Sequence, residues 1–413
     1  MSKIKIQNFG AIRQGYQEDE GWLDIKKVTV FIGNQGSGKS TVAKLISTFT
    51  WIEKALVRGD YPKKWFERKN KLKNQLLNFH RLENYFQSLE NQDTKIYYQG
   101  EAYHISYEKE QLFIEEIEHK NYDLPQIMYV PAERNFISYV RTPKELKLSS
   151  ASLKEFLTEF DNAKVVLKGL LKLPINDTEL EYDKLNDVLK VKGSSYKIKL
   201  TEASSGFQSF VPLYLVSYHL AHSVKKQSSA NKEPMSGEQM QRFRKGVEDI
   251  WNNHNLTDEQ KKIALSALSS KFNKTSFVNI VEEPEQNLYP TSQQKMLNAL
   301  LEFNNLSSNN KLILTTHSPY LINYLTLAAK GTHLKNKIKD SILLNKIFKI
   351  IPENSMVRGQ DIAIYQLEEQ TGIIRKLQAY NGLPSDLHEL NLLLDESNEF
   401  FAQLLEIQQK YEH

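Results

Sequence analysis

The sequence predicts an α/β chain: a mixed sheet flanked by helices, with helical and hairpin insertions and a C-terminal α/β extension. Three observations carry that prediction. Val28-Thr29-Val30-Phe31-Ile32 reads as a short buried strand and runs straight into a Gly-rich turn and a helix opening at Thr41-Val42-Ala43-Lys44-Leu45-Ile46. Two later apolar runs, Phe277–Val281 and Leu312–Leu314, have the same buried-strand character, and each ends in polar residues. Between these stand polar segments of tens of residues with their own helical or alternating patterns.

Composition narrows the class. The chain has 413 residues, 40% hydrophobic and 10% aromatic, enough for a substantial core and too aromatic for disorder. There are no cysteines, so disulfides and thiolate metal sites are excluded. The formal charge of +4 comes from 54 basic and 50 acidic residues, a balance that does not by itself imply nucleic acid. No apolar run resembles a leader or approaches the ~20 residues of a membrane span. A soluble, cytoplasmic chain is expected.

Read in order, Met1–Ile6 alternates like a strand, and the first residues run strand, turn, strand, Gly-rich loop, helix. Tyr61 to about Leu89 is helical in spacing. Thr94–Tyr98 and Tyr103–Tyr107 read as strands around Gly100. Ile127–Val130 is a buried strand stopped by Pro131. Ser150–Leu173 reads as helix, and Asp187–Leu200 as a hairpin around Gly193-Ser194-Ser195. Helix resumes at Phe210, with a loop at Ser228–Asn231 and Pro234. The tail closes in an amphipathic helix with Leu393, Phe400, Phe401, Leu404, Leu405 and Tyr411 at helical spacing. The division that follows is 1–60 (lobe with the Gly-rich loop), 61–125 (helix and hairpin insertion), 126–140 (core strand and turn) and 141–200 (helical and hairpin insertion). It continues with 201–222 (Ser-Gly segment and helix), 223–275 (polar helical insertion), 276–330 (acidic strand end to His317) and 331–413 (C-terminal extension).

The loop Gly33-Asn34-Gln35-Gly36-Ser37-Gly38-Lys39-Ser40 is a complete G-x-x-x-x-G-K-S string between a strand and a helix. Glycines let backbone N–H groups close around phosphates, the helix N-terminus faces them, Lys39 reaches the β/γ oxygens, and the Ser40 hydroxyl meets Mg²⁺, with Thr41 adjoining. A nucleoside triphosphate is the ligand this predicts. Glu282 and Glu283 end the Phe277–Val281 strand: the first carboxylate suits Mg²⁺, the second the polarising of an attacking water. Alone, such a pair also fits an exposed acidic turn. His317, in Thr315-Thr316-His317-Ser318-Pro319, follows the next strand, where open parallel sheets gather ligands, and is placed to donate to a γ-phosphate. Ser204, Ser205, Gly206 and Gln208 precede a helix; they suit either an anion completed by a second subunit or an ordinary helix cap.

In this order the motifs resemble the ATP-binding-cassette ATPase head, in the soluble branch that holds RecF, the SMC proteins and the OLD-type ATPases. Gly33–Ser40 resembles the Walker A loop, Ser204–Gln208 the signature, Val281-Glu282-Glu283-Pro284-Glu285 the Walker B end, Asn287–Pro290 the D-loop and His317 the switch histidine. The resemblance covers roughly residues 1–325. It departs in two places: Glu282 stands where the family usually has Asp, and the signature reads Ser-Ser-Gly-Phe. Glu133 or Arg134 is the Q-loop candidate.

The resemblance implies ATP and Mg²⁺ on Lys39, Ser40 and Glu282 of one subunit, with Ser204–Gly206 of another covering the γ-phosphate in a head-to-head dimer. Glu283 would activate water. The chain also looks like the stand-alone ATPase subunits of anti-phage systems such as Septu or PARIS, which implies an effector partner, a nuclease or toxin; the runner-up is a RecF-like ATPase acting on double-stranded DNA. The basic stretch Arg58, Lys63, Lys64, Arg68, Lys69, Lys71 and Lys73, interleaved with Tyr61, Trp65 and Phe66, fits phosphate contact and base stacking, or a solvated helix face with a buried aromatic edge.

Overall fold

Five parallel strands of the computed structural model end at one edge, and that edge carries the candidate residues. In spatial order they are Ile362–Leu367, Val28–Gly33, Lys311–Thr315, Ser276–Glu282 and Pro125–Val130. The register sets Leu312 beside Val28, Glu282 beside Thr315 and Val281 beside Val130. Ile373–Lys376 runs antiparallel beside Ile362–Leu367, and the short strand Gly15–Tyr16 completes seven. The structure describes residues 2–86, 93–118, 122–140, 147–230, 237–253, 255–257, 260–261, 264–265, 268, 274–380, 382–385 and 387–412.

Helices and a second sheet cover both faces, which is why the central strands are buried along their whole length, every residue of Val28–Gly33 and Ser276–Glu282 included. Val28, Val30 and Ile32 point into one core with helices Ala151–Val166, Ser205–Ala230, Pro290–Asn305 and Pro319–Lys337. Phe31 points into the other, against helix Lys39–Arg58. There a five-stranded antiparallel sheet packs outside that helix, in the order Leu23–Asp24, Lys3–Gln7, Lys95–Gln99, Tyr103–Glu108 and Gln111–Glu116. The alternation read at the N-terminus is real: Ile4 and Ile6 are buried, and each such side chain contributes about 1.5–3 kcal/mol. The hairpin of the first insertion thus completes a sheet begun by the first strand.

Several elements differ from expectation. Tyr61–Leu89 is not one helix. Lys63–Phe66, a π turn at Leu72–Leu76 and a 3₁₀ turn at Leu77–His80 follow one another, and Gln87–Leu89 lie outside the described residues. Buried Phe66, Leu72 and Leu77 spend that apolar spacing on the core without a continuous helix. The helix expected to Leu173 stops at Val166; Gly169, at φ +69°, turns the chain into the strand Leu170–Lys172. The next helix begins at Ser205, before Phe210, and runs through Ser228–Ala230; Asn231 and Pro234 lie outside the described residues. Within the C-terminal extension, Ile362–Leu367 pairs with the phosphate-loop strand from Val28 to Gly33. The tail helix Glu389–Glu412 forms as read, but Leu392, Leu393, Phe400, Phe401, Leu404, Leu405, Ile407 and Tyr411 stand exposed.

Candidate functional site

The phosphate loop is shaped by two glycines. Gly33 sits at φ +141°, and a Cβ there would lie 2.4 Å from the Leu367 carbonyl oxygen, so the neighbouring strand excludes any side chain. Gly38, at φ +102°, opens helix Lys39–Arg58 and lets Ile12 close over the loop. Lys39 Nζ donates to the carbonyls of Gly33 (2.9 Å) and Asn34 (2.7 Å) and so lies across the loop mouth. Burial pushes this ammonium down to about 8 against the pull of Glu283 and Glu285. Asn34, Gln35 and Gly36 are exposed, Ser40 is half-buried, Thr41 is buried, and the buried Ser37 hydroxyl has no hydrogen-bond partner among the described residues. An unspent hydroxyl, an ammonium and free N–H groups at a helix start fit a polyphosphate.

Two strands along, the chain leaves Ser276–Glu282 through the acidic pair. Glu282 is 4% exposed; its Oε2 accepts from the Ala132 N–H at 3.2 Å, and Lys44 Nζ stands 3.9 Å from Oε1. That Oε1 is buried and accepts no hydrogen bond among the described residues. A buried carboxylate oxygen left open, near Lys44 of the helix that carries Ser40, fits a divalent cation. Glu283 takes φ +44°, unusual for a residue with a side chain. His317 Nε2 lies 3.6 Å from Glu283 Oε1, and this neighbour, with Arg134 and Lys39, holds the carboxyl below its usual range.

Arg134 explains the backbone at Glu283. Its guanidinium is fully buried and donates to the carbonyls of Glu282 (2.7 Å), Glu283 (2.6 Å), Pro131 (3.3 Å) and Ser209 (3.2 Å). Burial lowers it to about 10. Four carbonyls from three segments converge on one side chain, tying the acidic strand end to the Ser-Gly helix. Glu133, the other residue read at this turn, is exposed.

Glu285 performs a similar service for His317. Half-buried, it accepts from the Thr316 hydroxyl (2.7 Å) and the His317 N–H (2.8 Å), and desolvation raises its carboxyl. Ser318 Oγ donates to Gln293 Oε1 at 2.6 Å, bracing the same loop from helix Pro290–Asn305. His317 is therefore aimed by two neighbouring strands.

Ser204 and Ser205 are exposed at the start of helix Ser205–Ala230. Gly206 packs on the Asn287 carbonyl, Ser209 Oγ donates to Gln286 Oε1 at 3.2 Å, and Gln208 Nε2 bonds the Thr201 carbonyl at 3.1 Å. The structure therefore brings Lys39, Glu282, Glu283 and His317 to one edge, while Ser204 and Ser205 are exposed. Arg134, Glu285 and Gln286 form the frame behind them. Pro131-Ala132-Glu133-Arg134 at a strand end was the only sequence signal for the first. The basic stretch behaves differently: Tyr61 stacks on Trp65 (4.1 Å) and meets Trp251 (5.3 Å), whose indole donates to the Asp60 carbonyl at 2.7 Å. Its aromatics pin the insertion to the head, while Lys63, Lys64, Arg68 and Lys69 remain exposed.

A family model described as an AAA ATPase domain matches residues 255–322, the stretch that holds the acidic strand end and His317. No curated protein matches the chain. The SMC head domain from Thermotoga maritima aligns over 92% of this chain and 98% of its own, at 10% identity and a TM-score of 0.34. A dimeric ATP-binding cassette in a post-hydrolysis state, bound to ADP and phosphate, aligns over 92% and 100% at 12% identity, TM-score 0.25. A nucleotide-free ATP-binding cassette from an ABC transporter aligns over 92% and 93% at 13% identity, TM-score 0.26. Among the described residues no helix is long and apolar enough to cross a membrane. The phosphate loop and, two strands away, the acidic strand end inside the segment matched by the ATPase-domain model thus stand at one edge of the sheet.

Proposed function

We propose that the chain binds and hydrolyses ATP at this edge, closes head to head with a second copy around the nucleotide, and uses that cycle to regulate a partner effector in anti-phage defence. The observation that carries the catalytic part is the convergence of Glu283, His317 and Lys39, with Glu283 held out of ordinary backbone geometry by Arg134. Ser40 and Glu282 would hold Mg²⁺, which neutralises phosphate charge when bound. Lys39 exchanges the loop carbonyls for phosphate oxygens. Glu283, kept ionised by its neighbours, orients a water and accepts its proton as the water attacks the γ-phosphorus and the bond to the β–γ bridging oxygen breaks, with ADP as the leaving group. His317, across from it, donates to the phosphoryl oxygens.

The exposed Ser204 and Ser205 at a helix start support a site completed by a second copy. The effector reading rests on the resemblance of the motifs to stand-alone defence ATPases. RecF-like action on double-stranded DNA is the alternative, and the exposed Lys63, Lys64, Arg68 and Lys69 are what would serve it. Steady-state hydrolysis by wild type and Glu283→Gln, with and without duplex DNA at two salt concentrations, tests both. Glu283-dependent turnover indifferent to DNA supports the effector reading. Salt-sensitive stimulation by DNA transfers the function to the alternative. Equal turnover in the variant removes Glu283 from catalysis.

A further inference from the structure

The tail helix Glu389–Glu412 leaves the head as a projecting rod. Its root is anchored: the Glu389 N–H donates to Gln366 Oε1 at 3.3 Å, and Leu390 packs on the core. Beyond that, Leu393, Phe400, Phe401, Leu404 and Ile407 are each 54–63% exposed, and Tyr411 is 91% exposed. Such a row does not stabilise a lone head. Leu393, Ser397, Phe400, Leu404, Ile407 and Tyr411 are spaced by four and three residues in turn, the 3.5-residue repeat of a coiled-coil seam.

We infer that this seam pairs antiparallel with the same helix of a second copy, joining two chains tail to tail without nucleotide. Two features of the helix choose the occupant and its direction. The acidic residues Asp395, Glu396, Glu399 and Glu406 lie off the seam, so self-pairing brings no carboxylates face to face across it. Antiparallel pairing sets Lys410, the one cation of the helix, opposite Glu389 of the other copy, and it does so twice by symmetry. It also sets Ser397, the one small seam residue, against Phe400, and Leu393 against Leu404. Parallel pairing would instead stack Phe400 on Phe400, leave a gap between the two Ser397 positions and strand Lys410 without a partner. The seam is about 30 Å long at 1.5 Å per residue, long enough for several interlocking layers.

This pairing does not rest on the nucleotide reading, and its test keeps the two apart. The full chain and Lys39→Ala are weighed by sedimentation velocity without nucleotide over a range of concentrations. Both should reach twice the chain mass, and Leu404→Glu should remain at the chain mass with unchanged circular dichroism. Because the chain has no cysteine, single cysteines report direction cleanly. Under oxidation a mixture of Ser397→Cys and Phe400→Cys chains should crosslink to each other, and Ser397→Cys alone should not. A wild type that stays monomeric would overturn the inference and leave the seam for a different protein. A dimer that survives Leu404→Glu overturns it too, as does self-crosslinking of Ser397→Cys, which marks a parallel pair.

Discussion

Arg134 donates a 2.6 Å hydrogen bond to the carbonyl of Glu283, a residue 149 positions away that stands at φ +44°. A side chain that must leave ordinary backbone geometry costs of order 1–3 kcal/mol. Here a buried guanidinium offsets that cost, and the same group holds the Ser209 carbonyl of the Ser-Gly helix. The proposed water-activating carboxylate and the surface proposed to meet a second copy are therefore braced by one residue.

Removing that brace should separate binding from chemistry. Arg134→Ala leaves up to four buried carbonyls without a donor, a loss of about 3 kcal/mol or more in stability. Turnover should fall about a hundredfold while ATP affinity changes only a few-fold. Arg134→Lys, which keeps the charge but loses the fork, should recover part of both. Denaturant melts beside kcat and nucleotide titrations check this; loss of ATP affinity equal to the loss of turnover would assign Arg134 to binding instead.

Glu283→Gln is expected to keep ATP and lose turnover by roughly 10²–10⁴-fold, the worth of a positioned general base. The variant should accumulate as the closed, ATP-bound form in gel filtration. Turnover near wild type would place the base elsewhere.

The depressed Lys39 ammonium gives nucleotide binding a pH signature. Below pH 8 the free protein already carries the charge that phosphates need. Above about 8 the ammonium has lost its proton, and binding must take one up. The dissociation constant for ATP should therefore be flat below pH 8 and rise about tenfold per pH unit above it, until the bound-state value is reached. Lys39→Ala should abolish measurable binding. A flat profile to pH 10 in wild type would show that Lys39 is not the phosphate contact.

Gly33→Ala should disable the loop without touching any charged group. The added methyl meets a strand carbonyl at 2.4 Å in a backbone conformation that only glycine adopts readily. A loss of several kcal/mol or a displaced loop is expected, with nucleotide binding lost in either case. Gly36→Ala is the control: its φ is also positive, but open space surrounds it. It should cost about 1 kcal/mol and retain weakened binding.

What the sequence by itself determined is local. The phosphate loop, the strand before it and the helix after it are contiguous, so each residue's role is set by neighbours a few positions away. The acidic pair, the His317 loop and the tail helix were legible for the same reason: each is a short pattern at the end of one periodic element. Tertiary structure alone decided which ends meet. Nothing in the local pattern singles out Ile362–Leu367, and only its pairing with Val28–Gly33 shows why Gly33 cannot carry a side chain. Arg134 stood in the sequence only as one of two Q-loop candidates, and burial sets it against carbonyls from two distant segments, Ser209 and Glu282-Glu283. Tyr61 and Trp65 have the composition of a stacking surface, yet they stack on each other, and Trp251 from an insertion nearly two hundred residues on packs against Tyr61. Hydrogen bonds and ring contacts are short-range in space but blind to sequence separation. A motif is therefore read from the chain, and its partner only from the fold.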